Sequence, residues 1–210
     1  MKKRLAIIGG GGFAKEIIEV ALLNGFEIIG IFAEHNNLIA YPHLGYLDEL
    51  LSKRDTFDYV HIAFGGINQT GVANRAKIIH FLDKNCIPSA TLISPYARIS
   101  TNVTIAEGTY IAHNALISCD ARIDAHVIIN TASLIGHDAH IGKNTTVSPQ
   151  AFIGGESIIG KNTLISAGVM IKQGITIGEN CIIGMGSIIQ RSIQSNMLMV
   201  HNHTKPVALH

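Results

Sequence analysis

Two stretches of this chain carry residue types whose spacing can do chemistry. The first is Gly9-Gly10-Gly11-Gly12, behind the apolar run Lys3 to Ile8 and ahead of a helical pattern. A strand that turns into a helix through glycine leaves backbone N–H groups at the helix N-terminus, where a phosphate binds well. The run contains Gly9-x-Gly11-x-x-Ala14, a loose form of the dinucleotide fingerprint. Glu34 stands at the end of the next strand, where such proteins place a ribose-binding carboxylate. The second stretch is His137-Asp138. An imidazole beside a carboxylate suits a general base: the acid orients the ring, and a reference pKa of about 6.5 leaves it mostly unprotonated near pH 7. Most surface histidines do no chemistry, and the chain has eleven, so what singles out His137 is the scaffold that holds it.

That scaffold is written as a repeat. From Ile93 to Ile189, every sixth position is isoleucine, apart from Val147, for seventeen consecutive hexads without an insertion. Two residues before each lies a small or compact residue, with Ile175 the exception. A period of six is neither helical nor simple strand alternation. It describes a short strand with residues i−2 and i facing inward, then a tight corner, then another strand. Three hexads close an 18-residue triangular coil, and coils stack as parallel strands about 4.8 Å apart. His137 falls at a corner, facing outward. Its neighbours one coil away are Cys119 and Gly155, and the adjoining column is Asp120, Asp138 and Glu156. A metal site is one further reading of the histidines. However, no two of His113, His126, His137 and His140 are eighteen apart, so they do not stack.

Ahead of the repeat, strand and helix alternate: Lys3–Ile8, a helix over Phe13–Asn24, a strand over Glu27–Phe32, and a short helix over Leu47–Leu51. A third strand over Tyr59–Phe64 and a helix over Asn74–Leu82 follow. This predicts a small Rossmann-like α/β unit of about three strands over residues 1–88, sized for a mononucleotide or nucleotide-sugar. The solenoid then spans 89–190, and 191–210 is expected to cap its open end. The charged fraction, 15%, is below the roughly 25% usual for globular proteins, so some apolar surface is expected to be buried between copies of the chain. A net charge of +1 argues against a nucleic-acid binder. No apolar run is long enough for a membrane span, and Leu5–Ile8 is too short for a signal peptide. Three cysteines in no metal-binding spacing indicate neither a disulfide framework nor a zinc knuckle. A cytoplasmic protein is expected.

A small strand–glycine–helix domain before a long hexapeptide solenoid resembles the sugar acyltransferases. These include bacterial nucleotide-sugar N-acetyltransferases of the bacillosamine and perosamine type and sialic acid O-acetyltransferases. The most specific stretch is Ile129-Asn130-Thr131-Ala132-Ser133-Leu134-Ile135-Gly136-His137-Asp138. The resemblance implies a left-handed parallel β-helix, a homotrimer, acetyl-CoA as donor and no metal. It makes His137 similar to the catalytic base, Asp138 to its supporting acid, Asn130 to an active-site asparagine, and Gly155 to the N–H donor for the thioester oxygen. By the same resemblance, Ala167, Gly184, Met185, Gly186 and Lys205 fall on coenzyme A contacts. Gly11, Gly12, Phe13, Glu34 and Gly65 fall on nucleotide contacts. The chain departs from the family pattern at Phe13, where histidine is common, and at Glu34-His35, where an aspartate pair is common. Thr146 replaces a second histidine, and the ending His201-Asn202-His203-Thr204-Lys205 keeps only the lysine. The implied reaction is acetylation of the amine of a nucleotide-linked 4-amino-4,6-dideoxy sugar, with UDP, dTDP and GDP carriers all open. O-acetylation of sialic acid or a related sugar is the alternative. A carbonic-anhydrase-like or non-catalytic solenoid is the alternative of another class.

Overall fold

The computed structural model describes residues 2–34 and 40–199. Strand β1 (Arg4–Ile8) leads through the glycine run into helix α1 (Gly12–Leu23), then β2 (Glu27–Phe32), β3 (His43–Gly45), β4 (Tyr59–Ile62) and helix α2 (Gln69–Lys84). The strands form one parallel sheet in the order β3-β2-β1-β4. Four strands stand where three were expected; β3 is too short to show a period of its own. The expected Leu47–Leu51 helix is instead two 3-10 segments, Leu47–Glu49 and Leu51–Thr56. Helix α2 starts five residues before the expected Asn74, because the Asn68 side chain accepts the Gly71 N–H at 2.8 Å and caps the first turn.

Alternate residues of β1 enter different cores. Leu5 and Ile7 pack with the α1 stripe Ala14, Ile17, Ile18 and Ala21, while Ala6 and Ile8 pack with Ile79 and Leu82 of α2. Both faces of the sheet are therefore covered, as a parallel sheet requires. The α1 core also takes in Leu92, Tyr110 and Ile128 from the solenoid, so the two units share one apolar cluster. Asn24, at the end of α1, bonds both backbone groups of Ile93, at 2.8 and 3.0 Å, and covers the first coil's edge.

The solenoid has about six coils. Seventeen two-residue strands, from Leu92–Ile93 to Ile188–Ile189, form three parallel sheets with an 18-residue register. We call the face carrying Tyr110–Ile111 the first, the face carrying Leu116–Ile117 the second and the face carrying Arg122–Ile123 the third. The isoleucines and the residues two before them fill the interior. At each corner from Asn102 to Gly186 the third residue after the inward isoleucine or valine turns left-handed, as at Asn114 (φ 58°), Asp138 (φ 57°) and Asn162 (φ 56°). Asn and Asp tolerate that conformation better than most residues. After Ile189 the spacing shortens: Ile177 bridges Ile193, and Ile182–Ile183 pair with a final strand, Leu198–Met199. The expected cap falls mostly on residues 200–210, outside the described residues.

Where α2 meets the solenoid, polar groups are buried. Arg75, 2% exposed, gives Nε to Asn144 Oδ1 (3.0 Å), one terminal nitrogen to the Phe64 carbonyl (3.1 Å) and the other to the His126 carbonyl (2.7 Å). Burial pushes the His61 imidazole down to about 3 and His126 down to about 4, with the Arg75 charge helping in both cases. Both rings are neutral in the fold, whereas unfolded they titrate near 6.5. Below that pH the unfolded chain takes up protons that the folded chain refuses. Stability should therefore fall as pH drops from about 6.5 toward 4, by on the order of 3 kcal/mol per imidazole at the lower limit. Thermal melts across that range test this; a melting temperature flat from pH 7 to 4 contradicts it.

Candidate active site

The coil corners place the candidates of the solenoid. His137 and Asp138 are the second and third residues after Ile135, on the ridge between the second and third faces. His137 Nδ1 lies 2.8 Å from Asp138 Oδ2, and both side chains are about half exposed. An ionised carboxylate only accepts, so Nδ1 donates and Nε2 keeps its lone pair. The hydrogen bond that His137 donates to Asp138 raises the His137 pKa above its ordinary value, against a smaller desolvation effect. Gly155 lies one coil on. A Cβ there would come within 2.6 Å of His137 Nε2, so only glycine leaves the ring this position. The Gly155 N–H makes no hydrogen bond among the described residues. Cys119, partly exposed, occupies the same column on the other side, and its carbonyl accepts the Asp138 N–H at 3.1 Å.

The other solenoid histidines are occupied differently. His113 Nδ1 hydrogen-bonds with the Ser94 hydroxyl at 2.5 Å, while Nε2 lies 3.7 Å from Glu19 on α1, tying the helix to the first coils. His126 is buried at the α2 junction. His140 stands on the third face, between Arg122 and Ile158, with Nε2 3.0 Å from Asp124 Oδ2. His137 is the one whose Nε2 overhangs a glycine with an unbonded N–H.

The remaining solenoid candidates share another ridge. Asn130, Ala167 and Gly184-Met185-Gly186 all sit on the corner between the first and second faces. The Gly186 N–H donates to the Ala167 carbonyl at 3.0 Å, and Met185 is exposed. Asn130 Oδ1 accepts the Thr131 N–H at 2.7 Å. One face separates this ridge from His137, on the order of 15 Å of extended chain. Within one chain, the candidates thus divide into a base ridge and a second ridge. The face between them carries an apolar outward column, Leu116, Leu134, Phe152, Met170 and Ile188, whose last three members are 36%, 51% and 65% exposed. Thr146, buried on the first face beside Gly65, joins neither ridge. Lys205 lies outside the described residues.

The glycine run opens on a cleft of about 1200 Å³ at the C-terminal ends of β1, β2 and β4. Parallel α/β sheets bind ligands in this place, where helices leave to opposite faces. Gly9 is required by the fold: its φ is 112°, and a Cβ would touch Phe64 at 3.0 Å. Gly11 and Gly12 are different, since a Cβ on either would meet nothing within 4 Å. Neither packing nor conformation requires glycine at these two positions. Gly11 caps α1 without a side-chain bond, and the first turn holds no acid; the Ala14 N–H donates to the Gly11 carbonyl at 3.0 Å, while the Gly12 and Phe13 N–H groups make no hydrogen bond among the described residues. Glu34 lines the cleft. Phe13 does not: its ring packs edge-on against Tyr110 at 5.5 Å, so only its backbone can serve the loop. Gly65 follows Phe64 after β4 and does not itself line the cleft; its Cβ position lies 4.0 Å from Thr146 of the solenoid. Asn74 and Lys77 of α2 also line the cleft and were not singled out in the sequence. Among the described residues, no group of three or more His, Cys, Asp or Glu could hold a metal ion. No helix there is long and apolar enough to cross a membrane.

Residues 4–70 match the PglD N-terminal domain, and residues 156–191 match the bacterial transferase hexapeptide family. No curated protein matches by sequence. Among solved structures, PerB from Caulobacter crescentus, in complex with CoA and GDP-perosamine, is 25% identical. The match covers 94% of this chain and 93% of that one, with a TM-score of 0.87. The acetyltransferase domain of PglB from Neisseria gonorrhoeae, in complex with acetyl coenzyme A, is 26% identical over 99% of this chain and 100% of that one, also at 0.87. A histidine-to-asparagine variant of perosamine N-acetyltransferase from Caulobacter crescentus, again with CoA and GDP-perosamine, is 24% identical over 94% and 93%, at 0.87. The chain joins the same two domains in the same order, and its solenoid is consistent with a left-handed β-helix.

Proposed function

We propose that this hexapeptide acyltransferase moves the acetyl group of acetyl-CoA onto the amine of a nucleotide-linked 4-amino-4,6-dideoxy sugar, with His137 as general base. The observation that carries this reading is the His137–Asp138 pair at 2.8 Å, with the free Nε2 over Gly155. The amine nitrogen attacks the thioester carbonyl as its proton passes to Nε2. Asp138 holds the Nδ1–H tautomer and stabilises the imidazolium. The Gly155 N–H donates to the developing oxyanion, a type of contact worth about 2.7–4 kcal/mol in serine proteases. Collapse of the tetrahedral intermediate breaks the C–S bond, and the imidazolium returns its proton to the leaving thiolate. Gly11, Gly12 and Glu34 hold the nucleotide, and Gly65 lies on its path to the solenoid. The structures with CoA and GDP-perosamine support this assignment of ligands.

On this ridge Ala167 and Gly184–Gly186 serve acetyl-CoA in this reading, with Lys205 as a further contact, and Asn130 is the ridge's active-site asparagine. Because that ridge is a full face away from His137, the two meet only when one chain's base ridge adjoins another chain's second ridge. The exposed apolar column between them gives such an assembly its contact surface. A homotrimer closes three equivalent grooves. Measured in solution, the mass should be that of three chains; a monomer with full activity contradicts the arrangement. The reaction itself is tested by thiol release from acetyl-CoA with a panel of amino and hydroxy nucleotide-sugars and free sialic acid. Turnover is expected with a 4-amino nucleotide-sugar, and turnover with hydroxyl acceptors alone overturns N-acetylation.

A further inference from the structure

We propose that Lys77 of α2 is the cationic contact for the substrate's diphosphate, and that it sets the direction in which the nucleotide lies. The proposal rests on the reading of the cleft as a nucleotide site. Helix α2 turns one face, Val72, Arg75, Ile79 and Leu82, into the buried core. A second face lines the cleft opposite the glycine run: Asn74, Lys77, Ile78 and Phe81, at helical spacings of three, four and seven. Among the described residues, three charged side chains line the cleft, and they are not mixed. Glu34 follows β2 and Asp48 follows β3, whereas Lys77 stands on the β4 side. Lys77 makes no ion pair or hydrogen bond among the described residues, so its ammonium is not committed elsewhere in the chain.

This polarity fits one ligand orientation. A diphosphate is repelled by the two carboxylates and attracted by Lys77 and the open N-terminus of α1. Ribose hydroxyls and base N–H groups are donors, which the carboxylates accept. The nucleoside therefore lies toward β2 and β3, and the diphosphate lies between the glycine loop and Lys77. The sugar beyond it then leaves past Gly65, where the unit touches Thr146 of the solenoid. Asn74, one turn before Lys77, is placed to donate to the same phosphates.

Calorimetric titration of the full chain with GDP, UDP and dTDP, and with the nucleoside of whichever binds, tests the assignment. Lys77 is exposed, so Lys77→Gln leaves the fold intact, which melting curves verify. Lys77→Gln should weaken the diphosphate by about ten- to a hundredfold and leave the nucleoside within about twofold, while Lys77→Arg keeps most of the affinity. If Lys77→Gln binds the diphosphate as tightly as the parent, or loses nucleoside and diphosphate equally, Lys77 is not the diphosphate contact. If the parent protein binds no nucleotide of the panel, the cleft's assignment itself fails, and this proposal with it.

Discussion

Replacing His137 with alanine is expected to lower turnover by about 10²–10⁴ while the fold and the affinity for acetyl-CoA persist. The side chain is half exposed on a corner and supports no core, so a melting curve should barely move. His140→Ala provides the contrast. That ring also faces a carboxylate, Asp124, but its Nε2 is engaged in the contact and no glycine opens space beside it, so turnover should stay within a few-fold. Asp138→Asn separates orientation from mere presence. Asp138 raises the His137 pKa by stabilising the imidazolium, and only the neutral imidazole can accept the amine's proton. Activity should thus fall as pH drops through that raised pKa. Removing the carboxylate should move this acid limb to lower pH and reduce the plateau at the same time. Unchanged turnover in a folded His137→Ala protein, or an acid limb unmoved by Asp138→Asn, contradicts the assignment.

The parts of this site legible in the sequence are those fixed by covalent spacing. A hexad held without insertion for seventeen repeats fixes the 18-residue register, which puts His137 on a corner with Gly155 beside it. The same counting separates Asn130, Ala167 and Gly184 from His137, since they fall in different columns. The structure then shows that an entire face lies between those columns. The strand at His43–Gly45 left no pattern because three residues cannot show a period. The early start of α2 was hidden by Gly71, which reads as a helix breaker until the Asn68 cap is seen. Lys77 and Arg75 lie two residues apart on α2, yet one lines the cleft and the other is buried. Which face of a helix meets solvent, ligand or a second domain is decided by tertiary packing. The glycine run shows the same limit in reverse, since four like residues conceal that Gly9 is needed by the backbone while Gly11 and Gly12 leave open space.

Arg75→Met is expected to cost the junction about 3 kcal/mol or more, although methionine fills much of the same volume. The guanidinium is buried without a carboxylate, and burial lowers its pKa to about 10, so the charge itself is held at a cost. What offsets that cost is three hydrogen bonds, to Asn144 Oδ1 and to the carbonyls of Phe64 and His126. These acceptors come from the loop after β4 and from the coil corner, so one side chain bonds the two units together. Methionine removes the desolvation cost but leaves all three acceptors without their donor. Asn144 also heads a column, donating to Asn162, which in turn donates to Asn180, so a loosened Asn144 disturbs the ridge below it. At about 2–4 °C per kcal/mol for a chain of this size, the melting temperature should fall by roughly 6–12 °C. Hydrogen exchange should rise first in α2 and at the Asn144 corner, while the interior isoleucine coils stay protected. The buried imidazoles give an independent check. The Arg75 charge lowers both His61 and His126, so in Arg75→Met these rings protonate more readily in the fold, and the acid-induced loss of stability below pH 6.5 becomes shallower. A variant that melts like the parent, with the same acid dependence, would remove Arg75 as the link between the N-terminal α/β unit and the coils that carry His137.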